Sequence, residues 1–160
     1  MFTGLILPLN KHLTAQDFER PTQINAGIGL GDWGIPVYAG LDQYVHPDIT
    51  VGGVFSFRSY DEKWGDDYYD HSIIGLAANG NYHFNRLLGI SNQWDLYAGL
   101  SLGFYIWSSP SNYPGNHASG LGLGAQLGGR YFFSDKFGIN LELGGGDVVS
   151  GGKFGITIRL

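Results

Sequence analysis

The sequence predicts an all-β protein: an eight-stranded antiparallel up-and-down transmembrane β-barrel over residues 22–160, after a short leader over residues 1–21. Three observations predict it. Apolar residues recur at every second position from about residue 23 to the end, the period of a strand rather than of a helix. The face opposite them is dominated by glycine, of which the chain has 27. Charged residues make up only 14%, against roughly a quarter in ordinary soluble domains. No apolar run approaches the ~20 residues of a spanning helix, whereas a spanning barrel leaves no such run.

The start, "MFTGLILPLNKHLTAQ", carries a short apolar stretch before Thr14-Ala15-Gln16, in the manner of a signal-peptide remnant. Eight strands are expected after it, over 23–30, 35–45, 49–60, 71–84, 94–107, 118–133, 137–144 and 151–160. They are separated by "GDWG", "HPD", "DEKWGDDYYD", "NRLLGISNQ", "SSPSNYPGNH", "SDK" and "GGDVVS", all rich in turn residues. No helix is needed, apart from a turn around Leu87 and Leu88. The ten residues 61–70, with five acids and three aromatics, read as a solvated external loop, as do residues 108–117.

One register runs through all eight strands. Leu100, Leu102 and Phe104 share a face with neighbours such as Leu121, Leu123 and Leu141, and none of these positions is charged. Opposite them lie Asn81, Gly99, Ser101, Gly103, Gly122, Gly124 and Gln126, with Asp42, Arg58, His83, Asp95, Arg130, Glu142, Lys153 and Arg159 scattered among the glycines. A solvated strand face favours Thr, Lys and Glu, and glycine weakens it. The lumen of an eight-stranded barrel, just wide enough for side chains to fill, instead requires a few large polar residues among many tiny ones. The apolar face therefore points out, toward lipid.

Counting through the last turn places Glu142 opposite Lys153 and Leu141 opposite Phe154; similar counting places Asp95 opposite Arg130. These inward charges form a network that plugs the lumen, with a gated ion path as the alternative. Arg58 and Asp42 find no partner by this counting. Trp94, Tyr82, Phe84, Tyr131, Phe133 and Phe137 gather at strand ends beside the second, fourth and sixth connections, as an interfacial girdle does.

The last strand, "GGKFGITIRL", has Lys153, Gly155, Ile158 and Leu160 at a polar–Gly–hydrophobic–hydrophobic spacing. With this strand, residues 22–160 resemble the small outer-membrane barrels of Gram-negative bacteria, the OmpA-like and OmpX-like group, particularly those of Bacteroidetes. In that family the spacing is the assembly signal, usually ending in an aromatic residue where this chain has Leu160. The resemblance implies an outer-membrane location with both termini periplasmic. It also implies contact with outer-membrane lipid and lipopolysaccharide, recognition by the barrel-assembly machinery, and association with other envelope proteins.

The remaining chemistry is sparse. A net charge of −5 with nine scattered Lys and Arg excludes a nucleic-acid backbone binder. There is no Cys, and His12, His46 and His71 show no spacing to one another or to a carboxylate that would hold a metal. His117 and Ser119 are similar to the His-x-Ser of lipid A deacylase barrels, without that family's following Asn. No cofactor is expected. The reading is a non-enzymatic barrel serving as a structural or envelope-complex component, with a small porin-like channel, a lipid A-modifying enzyme and a soluble lipocalin-like binder as alternatives.

Overall fold

The computed structural model describes residues 21–31, 34–115, 119–146 and 151–160. Residues 1–20, nearly all of the expected leader, lie outside them. The strands are β1 (Gln23–Leu30), β2 (Val37–His46), β3 (Ile49–Trp64), β4 (Asp67–His83), β5 (Trp94–Ser108), β6 (Gly120–Phe132), β7 (Phe137–Gly146) and β8 (Gly151–Arg159), with one short helix, α1 (Asn85–Leu88), between β4 and β5. Each strand pairs antiparallel with the next, and β1 pairs with β8, so the sheet closes on itself. Closure leaves no free edge along the paired wall.

The two ends differ. Residues 47–48, α1 with its flanking residues, residues 133–136, Thr22 and Leu160 lie at one end, where the Leu160 amide bonds the Thr22 carbonyl at 2.9 Å. The β3–β4 turn at residues 65–66 and the last residues of β1, β5 and β7 lie at the other, the loop end. There the expected loop over 61–70 is instead the tip of the β3–β4 hairpin. Its ladder runs unbroken to Trp64 and Asp67, and the tight turn is made at Gly65 with φ of 68°. The last β2–β3 pair is Val37–Phe57 and the first β4–β5 pair is Ser72–Ser108, so this tip rises beyond its neighbours. Composition suggested a loop because Asp and Gly disfavour strands. Alternation overrides it: Tyr60, Glu62, Tyr69 and His71 share the lumen face, and their packing holds the ribbon together. His71 stacks on Tyr60 with centroids 5.2 Å apart, and Tyr113 from the β5–β6 loop closes over both Tyr69 and His71.

The polarity of the wall is inverted relative to a water-soluble protein. Leu100 is 71% exposed and Leu123 67%, while Arg130 retains 2% of its surface. Leu141, Phe154, Ile156 and their neighbours extend this apolar belt around the barrel. An exposed apolar surface so much larger than a few scattered residues calls for a hydrocarbon solvent. Glycines admit the large lumen groups. A Cβ on Gly128 would stand 2.3 Å from the Tyr97 ring, and one on Gly99 would meet the Asn81 amide at 2.1 Å. Alanine at either would displace the residue that fills the axis.

Candidate functional site: the lumen network

Arg130 on β6 is the centre of the lumen. Its ladder partner on β5 is Asp95, as hairpin counting predicts, and Nη1 donates to Asp95 Oδ2 at 3.0 Å and to Gln23 Oε1 at 2.6 Å. Nη2 reaches Asp42 Oδ2, on β2, at 2.5 Å. Asp42, which sequence counting left unpartnered, thus has its cation across the barrel, with Asn25 and Asn79 each donating to it at 2.9 Å. The guanidinium lies over the Tyr97 ring, 4.4 Å from its centroid. A buried charge is tolerated only when paired and hydrogen-bonded; two carboxylates, one amide and one ring face supply that here through the two terminal nitrogens, while Nε has no partner among the described residues.

The network extends both ways. His83 Nδ1 is hydrogen-bonded to Asp95 Oδ1 at 2.5 Å, and its Nε2 to the Thr50 hydroxyl at 3.0 Å. From Thr50 the chain continues through Asn81 and Gln126 to Ser101. On the other side Tyr97 donates to Glu142 Oε2 at 2.8 Å, and Lys153 donates to Glu142 Oε1 at 2.7 Å. Glu142 and Lys153 face each other in the β7–β8 ladder, in the register expected from the sequence. Tyr38 donates to Asn140, which donates to Thr157, which donates to Asn25. Residues from all eight strands are thereby tied across the axis.

Two of the expected network members lie apart. Arg159 sits at the short-turn end, its guanidinium 3.3 Å from the Phe132 ring centroid and donating to the Asn92 carbonyl. Arg58 lies toward the loop end, on the lumen face of β3, away from the Arg130 cluster. Gln23, Asn25, Thr50 and Tyr97 are network members that the sequence reading did not single out, whereas Asn81 and His83 were expected on this polar face without a partner. For His83 a signal existed: it faces Tyr97 in the β4–β5 ladder, two residues from Asp95 on the same face.

The aromatics expected to form a girdle all sit at the short-turn end. Trp94 and Tyr131 are ladder partners with rings 4.9 Å apart, Tyr82 and Phe84 lie 5.2 Å apart, and Phe133 and Phe137 are exposed beside the β6–β7 turn. In the last strand Lys153 and Gly155 face the lumen and Ile158 and Leu160 face out; a Cβ on Gly155 would collide with the Ala26 carbonyl.

Among the described residues the geometry offers little for reaction chemistry. Asp95, His83 and Thr50 have the order and spacing of a nucleophilic triad, but Thr50 is 0% exposed and already hydrogen-bonded, so no substrate reaches its hydroxyl. At the loop end His71, expected to stand apart from carboxylates, lies 3.5 Å from Glu62 and hydrogen-bonds Ser109 at 2.9 Å. Ser109 is followed by Pro110, which has no amide hydrogen to stabilise an oxyanion there. His117 and residues 147–150 lie outside the described residues; Ser119 Oγ accepts from the Trp107 amide at 3.1 Å. Among the described residues no cluster of three His, Asp or Glu has the geometry to hold a metal.

Three solved structures share this arrangement. They are the N-terminal β-barrel domain of Pseudomonas aeruginosa OprF (14% identical, 87% of this chain and 96% of that one, TM-score 0.57), Neisserial surface protein A (12%, 87% and 94%, 0.55), and the Yersinia pestis outer membrane protein Ail in a phospholipid bilayer nanodisc (17%, 89% and 100%, 0.56). The chain has the fold of the small eight-stranded outer-membrane β-barrels. No family model and no curated protein sequence matches it. At these identities the likeness is one of backbone: what this barrel does must be read from its own lumen, wall and loops.

Proposed function

We propose that this protein is an integral outer-membrane barrel without enzymatic activity, serving as a structural or envelope-complex component whose lumen is plugged by its own side chains. One observation carries the reading. The groups that water would solvate are sealed along the axis around Arg130, and the groups that lipid would solvate cover the outside. In this reading both termini are periplasmic, the aromatic girdle marks the inner-leaflet interface, and the last strand, through Lys153, Gly155, Ile158 and Leu160, is the segment read by the barrel-assembly machinery. The external partners are lipopolysaccharide and other envelope proteins, met through the wall and the β3–β4 tip.

The test is cell-envelope fractionation with gel mobility of unboiled and boiled samples, followed by recording in planar bilayers. A heat-modifiable band in the outer-membrane fraction and no steady conductance are expected. A soluble protein, or stable single-channel steps, would overturn the location or the plug respectively. On the wall, Leu100→Arg or Leu123→Arg should destabilise the barrel by about 2–4 kcal/mol in a bilayer.

A further inference from the structure

Above the Arg130 cluster, on the loop side, the lumen widens into a cavity of ≈ 60 Å³ lined by Arg58, Ser56, Tyr105, Lys153 and Glu142 among small residues. We propose that this cavity binds a small oxyanion of the phosphate or carboxylate type, held by Arg58 with Lys153 as the second cation.

The ladder places the two cations. Gly29 pairs with Lys153 across β1–β8, the Gly29 amide donates to the Pro36 carbonyl at 2.7 Å, and the next β2–β3 pair is Val37–Phe57. Lys153 and Arg58 therefore stand on nearly one hydrogen-bonded row, with only Gly29 and Pro36 between them. Among the described residues, the row between them carries only these two small residues.

Their charges are not equally matched. Lys153 is neutralised by Glu142, whose second oxygen is taken by Tyr97. Among the described residues Arg58 has no hydrogen-bond or ion-pair partner, although it is half-buried on the lumen face. The cavity lining thus carries two cations and one anion, and the excess charge is a guanidinium. Leaving it unpaired inside a narrow, low-dielectric lumen is costly, and an anion offsets that cost. The planar fork presents paired N–H donors that match two oxygens of a phosphate or carboxylate, which a spherical halide cannot use. Ser56, two residues away on the same face of β3, adds a hydroxyl to the same cavity.

Size and access narrow the occupant. A space of this size suits a small ion and not a nucleotide or a sugar phosphate. Below it the Arg130 cluster closes the axis, so an ion entering from the loop end is captured and does not pass through.

Isothermal titration of the refolded barrel in zwitterionic detergent tests this, with inorganic phosphate in one arm, acetate in a second and chloride in a third, at constant ionic strength. Saturable binding of phosphate or acetate is expected, weakened at least tenfold in Arg58→Gln and several-fold in Arg58→Lys, which keeps the charge but loses the fork. Arg86→Gln, an exposed cation at the opposite end, should bind as the wild type does. Unboiled gel mobility establishes that each variant is folded. The absence of saturable binding, equal affinity for chloride, or binding undiminished in both Arg58 variants would overturn the proposal.

Discussion

The two halves of the lumen share one wall and one alternation, yet they are filled on different terms. In the half toward the short turns, Arg130 lies between Asp42 and Asp95, and Gln23, Asn25, Asn79 and His83 each add a hydrogen bond to one member of that trio. In the half toward the loops, Tyr105 and Ser56 stand among glycines around an open cavity, and the Arg58 guanidinium is left without a protein counter-charge among the described residues. The difference separates two jobs. Side chains that span the axis hold opposite strands at a fixed distance, whereas side chains that stop short of it leave a chamber. Stability should therefore be concentrated in the first half and tolerance in the second.

The largest expected effect comes from breaking the first half. Arg130→Met leaves Asp42 and Asp95 buried without their cation, a loss of about 3–5 kcal/mol, because removing one partner strands the others. Urea unfolding of the barrel in lipid, followed by tryptophan fluorescence, measures it. A variant as stable as the wild type would erase the distinction between the halves.

A smaller effect is expected at the boundary between them. Lys153→Met removes one donor from Glu142 but leaves the Tyr97 hydroxyl in place, at a site that keeps some contact with solvent, so about 1–3 kcal/mol is expected. Adding Glu142→Gln should return part of that loss. A double-mutant cycle by the same unfolding assay isolates the pairing.

How much of this was legible in the sequence follows from how each contact is made. The strand count, the outward face of Leu100 and Leu123 and the Glu142–Lys153 and Asp95–Arg130 pairs depend on local alternation and hairpin register, which a linear sequence carries. The Asp42–Arg130 contact joins β2 to β6, strands that share no ladder; it exists only because closure and strand tilt bring their faces together at one depth. No counting along the chain could supply it. The 61–70 segment failed for another reason. Its Asp and Gly content describes a loop, and what makes it a ribbon is packing of Tyr60, Glu62, Tyr69 and His71 under a tyrosine 40 residues or more away.

That ribbon gives the comparison its gentlest test, since it rises above the tolerant half and touches none of the sealed one. Asp61 and Asp70 face each other across β3 and β4. The hydrogen bond with Asp70, then repulsion between the two carboxylates, raises the Asp61 carboxyl above its ordinary range. A carboxyl whose folded value is raised binds its proton more tightly in the paired ribbon than in an open one. The ribbon is therefore held while the Asp61 carboxyl keeps its proton, and it loosens as pH rises through the raised value and Asp61 ionises opposite Asp70. Like charges directly opposite in a ladder act in this sense, and full exposure keeps the effect small. Hydrogen exchange of residues 59–64 and 67–72, corrected for the intrinsic pH dependence of exchange, should show protection falling from pH 4 to pH 7 in the wild type. In Asp61→Asn the slope should flatten while protection of β5–β8 stays unchanged; an equal slope in both proteins would mean that the tip is held by its aromatic packing alone.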